Sequence, residues 1–155
     1  MTKLPLEIEL VPATCFFSNV RSAISASQWK IISKQVRAQA YNICEICQSS
    51  LQQPLHCHEV WEYNDTKQIQ KLIKMVALCR SCHQVKHFGL ARVQGKEKQA
   101  IQHFIKVNKI SGKLAEKYIE QSFIIWRDRS SKEWTLDISI LNDYGVDITK
   151  IRKPK

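Results

Sequence analysis

No stretch of this 155-residue chain approaches the roughly 20 apolar residues that cross a bilayer, which excludes a transmembrane helix. The N-terminus, MTKLPLEIELVPATCFF, lacks the unbroken apolar core of an export signal, because Glu7 and Glu9 interrupt it. The sequence also lacks repeats, low-complexity tracts and any linker long enough to mark a second domain, so one domain is expected over residues 1–155. Acidic residues are in short supply: 14 stand against 24 Lys and Arg, for a formal net charge of +10. Such a surplus favours a polyanionic partner, nucleic acid ahead of an anionic membrane. With no export signal a reducing cytoplasm is the expected location. There, six cysteines are better explained by metal than by disulfides.

What is present points to a mainly helical α+β chain. Leu4 to Val20 is apolar, carries two prolines and has no helical period, so extended strand or loop is expected. SASQWKIISKQVRAQA reads as a helix, with Ser25 or Ser27 as N-cap and Trp29, Ile32, Val36 and Ala40 at three- and four-residue steps. QQPLHCHEVWEY, rich in β-formers, reads as a strand. NDTKQIQKLIKMVAL fits a helix or, at MVAL, a short strand. Cys82 to Arg92 is expected as one helix with His83, His87 and Leu90 on a shared face. KEKQAIQHFIKVNKI and SGKLAEKYIEQSFIIWRDRS read as two amphipathic helices, the second starting near Ser111. EWTLDISILNDYG is β-like or extended, and IRKPK is a basic tail. The organisation is therefore an N-terminal extended segment and helix over 1–40, a metal-bearing ββα core over 41–92, and a helical extension with its basic tail over 93–155.

Two CxxC pairs, Cys44/Cys47 and Cys79/Cys82, suit one tetrahedral ion, since each tight turn presents two thiolates. Four soft ligands favour zinc and leave no open position, which makes the site structural. An iron–sulfur cluster, a redox dithiol and buried free cysteines are the alternatives. Cys15, beside Phe16 and Phe17, reads as a packed thiol. Inside the excursion that the pairs would staple lies His56-Cys57-His58-Glu59; just after it come His83 and His87, four apart. Imidazoles at that helical spacing can share a divalent ion.

CEIC, LHCHEVWEY and LCRSCHQVKHFG together resemble the HNH endonucleases, the ββα-metal (His-Me finger) family, and within it a zinc-stapled subgroup of small bacterial proteins. The resemblance covers about Tyr41 to Ala91. It implies that His58 is the general base, that His83 and His87 hold a catalytic Mg²⁺, Mn²⁺ or Ni²⁺, and that DNA is the substrate. Two positions depart from the family. Cys57 stands where a metal-binding Asp or His precedes the base, and Lys74 stands where the middle Asn falls. Cys57 is then a candidate ligand itself, with Glu59 or His56 able to complete the catalytic shell; Asn64 has the wrong spacing for the Asn. Arg80, Lys86 and Arg92 are candidate phosphate contacts. Trp61 and Tyr63 read as core or strand-surface packing, Phe123, Ile124 and Trp126 as core, and His103 as structural. The expected function is metal-dependent hydrolysis of DNA phosphodiesters. A catalytically impaired zinc-stapled binding module is the alternative, and a redox sensor leaves the histidines without a role.

Overall fold

The fold centres on a hairpin. In the structure, a computed structural model that describes residues 1–15, 19–50 and 52–150, β1 (His56–Asn64) pairs antiparallel with β2 (Ile69–Leu78). The register runs from His56–Leu78 to Asn64–Ile69, with a slip at Val60/Trp61. The stretch that fitted either helix or strand is thus the hairpin turn followed by strand from Ile69 to Leu78. Pairing with β1 outweighs its helical spacing, and Leu72, Met75, Val76, Ala77 and Leu78 are buried by it. Asn64 sits at the hairpin turn, where its side chain accepts from the Lys67 N–H. A short third strand, β3 (Thr135–Asp137), runs parallel to β2; Ser139–Tyr144 beyond it is 3-10 helix rather than strand.

Two short helices, α1 (Val20–Ala23) and α2 (Ala26–Gln39), precede the hairpin. Ser25 caps α2 reciprocally with Gln28, and Ile32 and Val36 turn inward. After the hairpin the expected single helix is two, α3 (Arg80–Lys86) and α4 (Phe88–Val93). His87 lies at the break with φ −95° and ψ 48°, outside helical geometry. Leu90 consequently shares no buried face with the histidines and is 56% exposed. α5 (Glu97–Asn108) and α6 (Gly112–Ser130) follow, the latter capped by Ser111. α6 buries Ala115, Tyr118, Ile119 and Ser122, a helical stripe that leaves Ile124 on the outer side at 44% exposure and corrects its reading as core. Phe123 and Trp126 are half-buried. Trp61 packs against the core, and Tyr63 meets Trp134 edge-on at 5.2 Å. Among the described residues no helix is long and apolar enough to cross a membrane. The basic tail 151–155 and Phe16 and Phe17, which follow Cys15, lie outside the described residues; Cys15 itself is buried.

The N-terminal segment is extended as far as Pro12, as its prolines suggest, then turns into 3-10 helix at Ala13–Cys15, with α1 starting at Val20, and side chains hold it in place. Leu6 and Ile8 are buried. The Asn108 amide accepts from the Leu6 N–H and donates to the Leu6 carbonyl, both at 2.9 Å, so it replaces a strand partner. Trp126 Nε1 donates to the Val11 carbonyl at 3.0 Å. Between these two clamps sits Glu9.

Asn108→Ala strands two main-chain groups at once, and should lower unfolding free energy by about 1–3 kcal/mol in a urea titration. An unchanged midpoint would mean that Leu6 and Ile8 dock the segment without it.

Candidate metal centres

The sulfurs of Cys44, Cys47, Cys79 and Cys82 all lie within 4.8 Å of one another. The first pair sits on a knuckle that Glu45 fastens to the end of β2. Its N–H donates to the Ala77 carbonyl at 3.0 Å and its carboxylate accepts from the Ala77 N–H at 2.6 Å. The second pair opens α3, where Cys79 is the N-cap and its sulfur accepts from the Cys82 N–H. Tetrahedral zinc with Zn–S near 2.3 Å sets sulfurs roughly 3.8 Å apart. Cys47 and Cys79 stand at 3.6 Å, so the four cysteines could hold a zinc ion. Ser49 Oγ lies 3.1 Å from Cys47 Sγ and His103 Nε2 lies 3.2 Å from Cys82 Sγ, polar partners that orient ligand sulfurs. His103 therefore has a definite structural place. The thiols do not titrate alike. The hydrogen bond with Cys82 pulls Cys44 down to about 4, and the same contact pushes Cys82 far up. One negative charge is shared, and a second is opposed until a cation arrives.

A second cluster lies beside the first. Ring nitrogens of His58 on β1, His83 on α3 and His87 at the helix break also fall within 4.8 Å of one another. The His83 and His87 rings meet edge-on at 4.5 Å, and His58 lies 5.4 Å and 5.0 Å from them. His56 stacks on His83 at 4.6 Å. Burial, and then the neighbouring imidazoles, push His83 down to about 3; burial with His58 next takes His87 to about 4. Both are therefore neutral at physiological pH, the form that ligates metal.

The residues around this cluster redistribute the expected roles. Strand alternation turns Cys57 away from His58, so it is not in the cluster; burial and Glu59 push its thiol up to about 12. Glu59 is occupied, accepting from the Val20 N–H at 2.6 Å and tying α1 to β1. Lys86 is 5% exposed and pairs with Glu9 at 3.2 Å, so it is no surface phosphate contact. Arg92 is exposed but forked onto Glu97 and laid over Phe123 at 4.3 Å. Arg80 is exposed at the start of α3. Lys74 is exposed on β2 opposite Val60, and Asn64 lies at the far end of the hairpin.

Glu9 is the residue that sequence reading missed. One carboxylate oxygen lies 2.8 Å from His58 Nε2 and the other 3.2 Å from Lys86 Nζ. Burial alone would raise its pKa, but the His58 hydrogen bond and the Lys86 charge outweigh it and hold Glu9 below the usual range. A carboxylate there accepts only, so Nε2 carries a proton and, in the neutral imidazole, Nδ1 keeps its lone pair. A cleft of about 360 Å³ opens on the cluster, lined in part by Asn19, Arg21, Trp29 and Arg37 from α1 and α2. Compared with models of known families, with curated proteins and with solved structures, the chain matches none.

Metal analysis of the purified protein should find about one tightly held zinc per chain, and Cys79→Ser should lose it together with the fold. Iron with a visible charge-transfer band would contradict this. A second expectation concerns acid. His83 and His87 titrate near 3 and 4 when folded but near 6.5 in the unfolded chain, so the unfolded state binds more protons between those limits. Their contribution is complete above about pH 6.5 and is lost as pH falls towards 4. Thermal melts of His83→Asn and His87→Asn should show a shallower pH dependence than wild type in that window. Parallel curves would rule out buried neutral imidazoles.

Proposed function

We propose that the protein is a metal-dependent HNH endonuclease that hydrolyses DNA phosphodiester bonds. The observation that carries the reading is the convergence of three imidazoles from a strand and a following helix, beside a four-thiol cluster that ties the same elements together. In this reading Cys44, Cys47, Cys79 and Cys82 hold a structural zinc, while His83 and His87 hold Mg²⁺, Mn²⁺ or Ni²⁺. An ion so bound supplies Lewis-acid stabilisation of the phosphate oxygens.

The protein's own groups do the remaining work. His58 takes the proton of the attacking water at Nδ1, because Nε2 is committed to Glu9. Glu9 fixes the imidazole's tautomer and orientation and stabilises the imidazolium that forms, as a carboxylate does behind a histidine base. Lys86 keeps Glu9 ionised from its other oxygen. Glu59, engaged by Val20, is a brace for α1 rather than a rival base. The excess positive charge supplies the salt-dependent attraction to DNA. A catalytically impaired binding module is the second reading. Cys57 favours it, standing at the family's metal-binding position yet turned off the cluster and still protonated.

Supercoiled plasmid incubated with Mg²⁺, Mn²⁺ or Ni²⁺ separates the two. Wild type should cut, and His58→Ala should lose about 10²–10⁴-fold in rate while keeping zinc and DNA binding. His83→Ala and His87→Ala should be partly rescued by excess Mn²⁺ or Ni²⁺. Wild-type protein that cuts with none of the three metals would leave the binding module.

A further inference from the structure

One wall of the cleft over the imidazoles lies outside the hairpin and α3. It comes from α1 and α2, which bring Arg21, Trp29 and Arg37 to face His56, His58 and His83. Arg80 opens α3, outside the cleft's lining, and its charge, with that of Arg37, bears on His56. Among the described residues none of these three arginines has a carboxylate partner, whereas Lys86, Arg92 and Arg129 are all paired. The nearby acids are already committed: Glu59 to the Val20 N–H, Glu9 to His58 and Lys86. The cleft therefore presents guanidinium groups without ion-pair partners beside the imidazoles, with the Glu59 carboxylate also in its lining. Trp29 is half-buried, and the Arg21 guanidinium lies 5.9 Å from its ring centroid.

We propose that this cleft binds one strand of DNA, with phosphates on Arg21, Arg37 and Arg80 and an unpaired base stacked on Trp29. The proposal rests on the nuclease reading for the identity of the polymer and extends it to residues on α1 and α2. A basic groove with an aromatic platform is the usual means of holding a single strand without reading its sequence. The cleft's volume of about 360 Å³ is room for one nucleotide. Guanidinium forks match phosphate oxygens in pairs, which lysines at these positions would not. The strand would then pass over His58, where the proposed base waits.

Fluorescence anisotropy on the full-length protein, with no divalent ion added, tests this without cleavage. The probes are a fluorescein-labelled dT 12-mer and a 12-base-pair duplex. The single strand should bind more tightly than the duplex. Each of Arg21→Ala, Arg37→Ala and Arg80→Ala should reduce the slope of log affinity against log salt by about 0.7, equivalent to about fivefold in affinity at 0.1 M salt. Trp29→Leu, which keeps an apolar body against the core, should weaken the dT probe by about fivefold or more and leave the duplex unaffected. Arginine variants that bind like wild type, while Lys113→Ala and Lys117→Ala on α6 weaken binding, would overturn the proposal. So would a duplex preference that ignores Trp29. A protein that binds dT through these arginines yet cuts no plasmid removes the nuclease reading and leaves the groove. One that cuts plasmid with affinity blind to the arginines removes the groove alone.

Discussion

Four sulfurs drawn to within 4.8 Å of one another cannot all be ionised in the absence of a cation. That constraint organises the middle of the molecule. Cys44 holds the shared charge only by imposing protons on its neighbours, so a divalent ion would both release those protons and fix four points of the backbone. The points are well chosen. One pair sits on the knuckle fastened to Ala77 at the end of β2, and the other pair forms the first turn of α3. Drawing them together sets the angle between hairpin and helix, and that angle brings His58 against His83 and His87. The imidazole cluster is in this sense a consequence of the thiol cluster. The two differ in chemistry as well as place: four soft thiolates would close a shell round an ion, while three imidazoles would leave coordination positions open.

A second dependence runs through the N-terminal segment. Asn108 on α5 and Trp126 on α6 grip it on either side of Glu9, and Glu9 in turn grips His58 and Lys86. The helices at the C-terminal end thus reach the imidazole cluster through a strand-like tether. A burial cost as large as that of Glu9 and Lys86 together is met only because each satisfies the other and His58 completes the set. α1 is tied to the same sheet by Glu59, so the cleft over the imidazoles is walled by elements that local sequence keeps far apart.

How much of this could be read along the chain follows from the range of each interaction. The thiol pairs were legible because a CxxC turn is a four-residue event. The helix starts near Ser25 and Ser111 were legible because a helix start is settled within one turn, although Ser27 fitted the first as well as Ser25 did. The ββα order and the three histidines likewise sit in short motifs. β2 was ambiguous, since Ile69, Leu72, Ile73 and Val76 fit a helical face until β1 pairs with them. The break at His87 left no mark, for no proline or glycine precedes it. Glu9 was invisible: it meets His58 across 49 positions, and an acidic residue alternating with Ile8 and Leu10 reads as a solvated strand face. Lys86 misled for the same reason, since only its buried partner distinguishes it from a surface lysine. Arg21 and Arg37 belong to helices whose place over the cleft is set by tertiary packing alone.

X-ray absorption on protein carrying zinc and one equivalent of Ni²⁺ tests the division of labour most directly. If thiolates hold one ion and imidazoles the other, the zinc edge reports sulfur only at about 2.3 Å. The nickel edge then reports nitrogen and oxygen with no sulfur, as an imidazole site with water suits that ion. A mixed sulfur and nitrogen shell at either edge would contradict the account, because it would merge the structural and reactive centres into one.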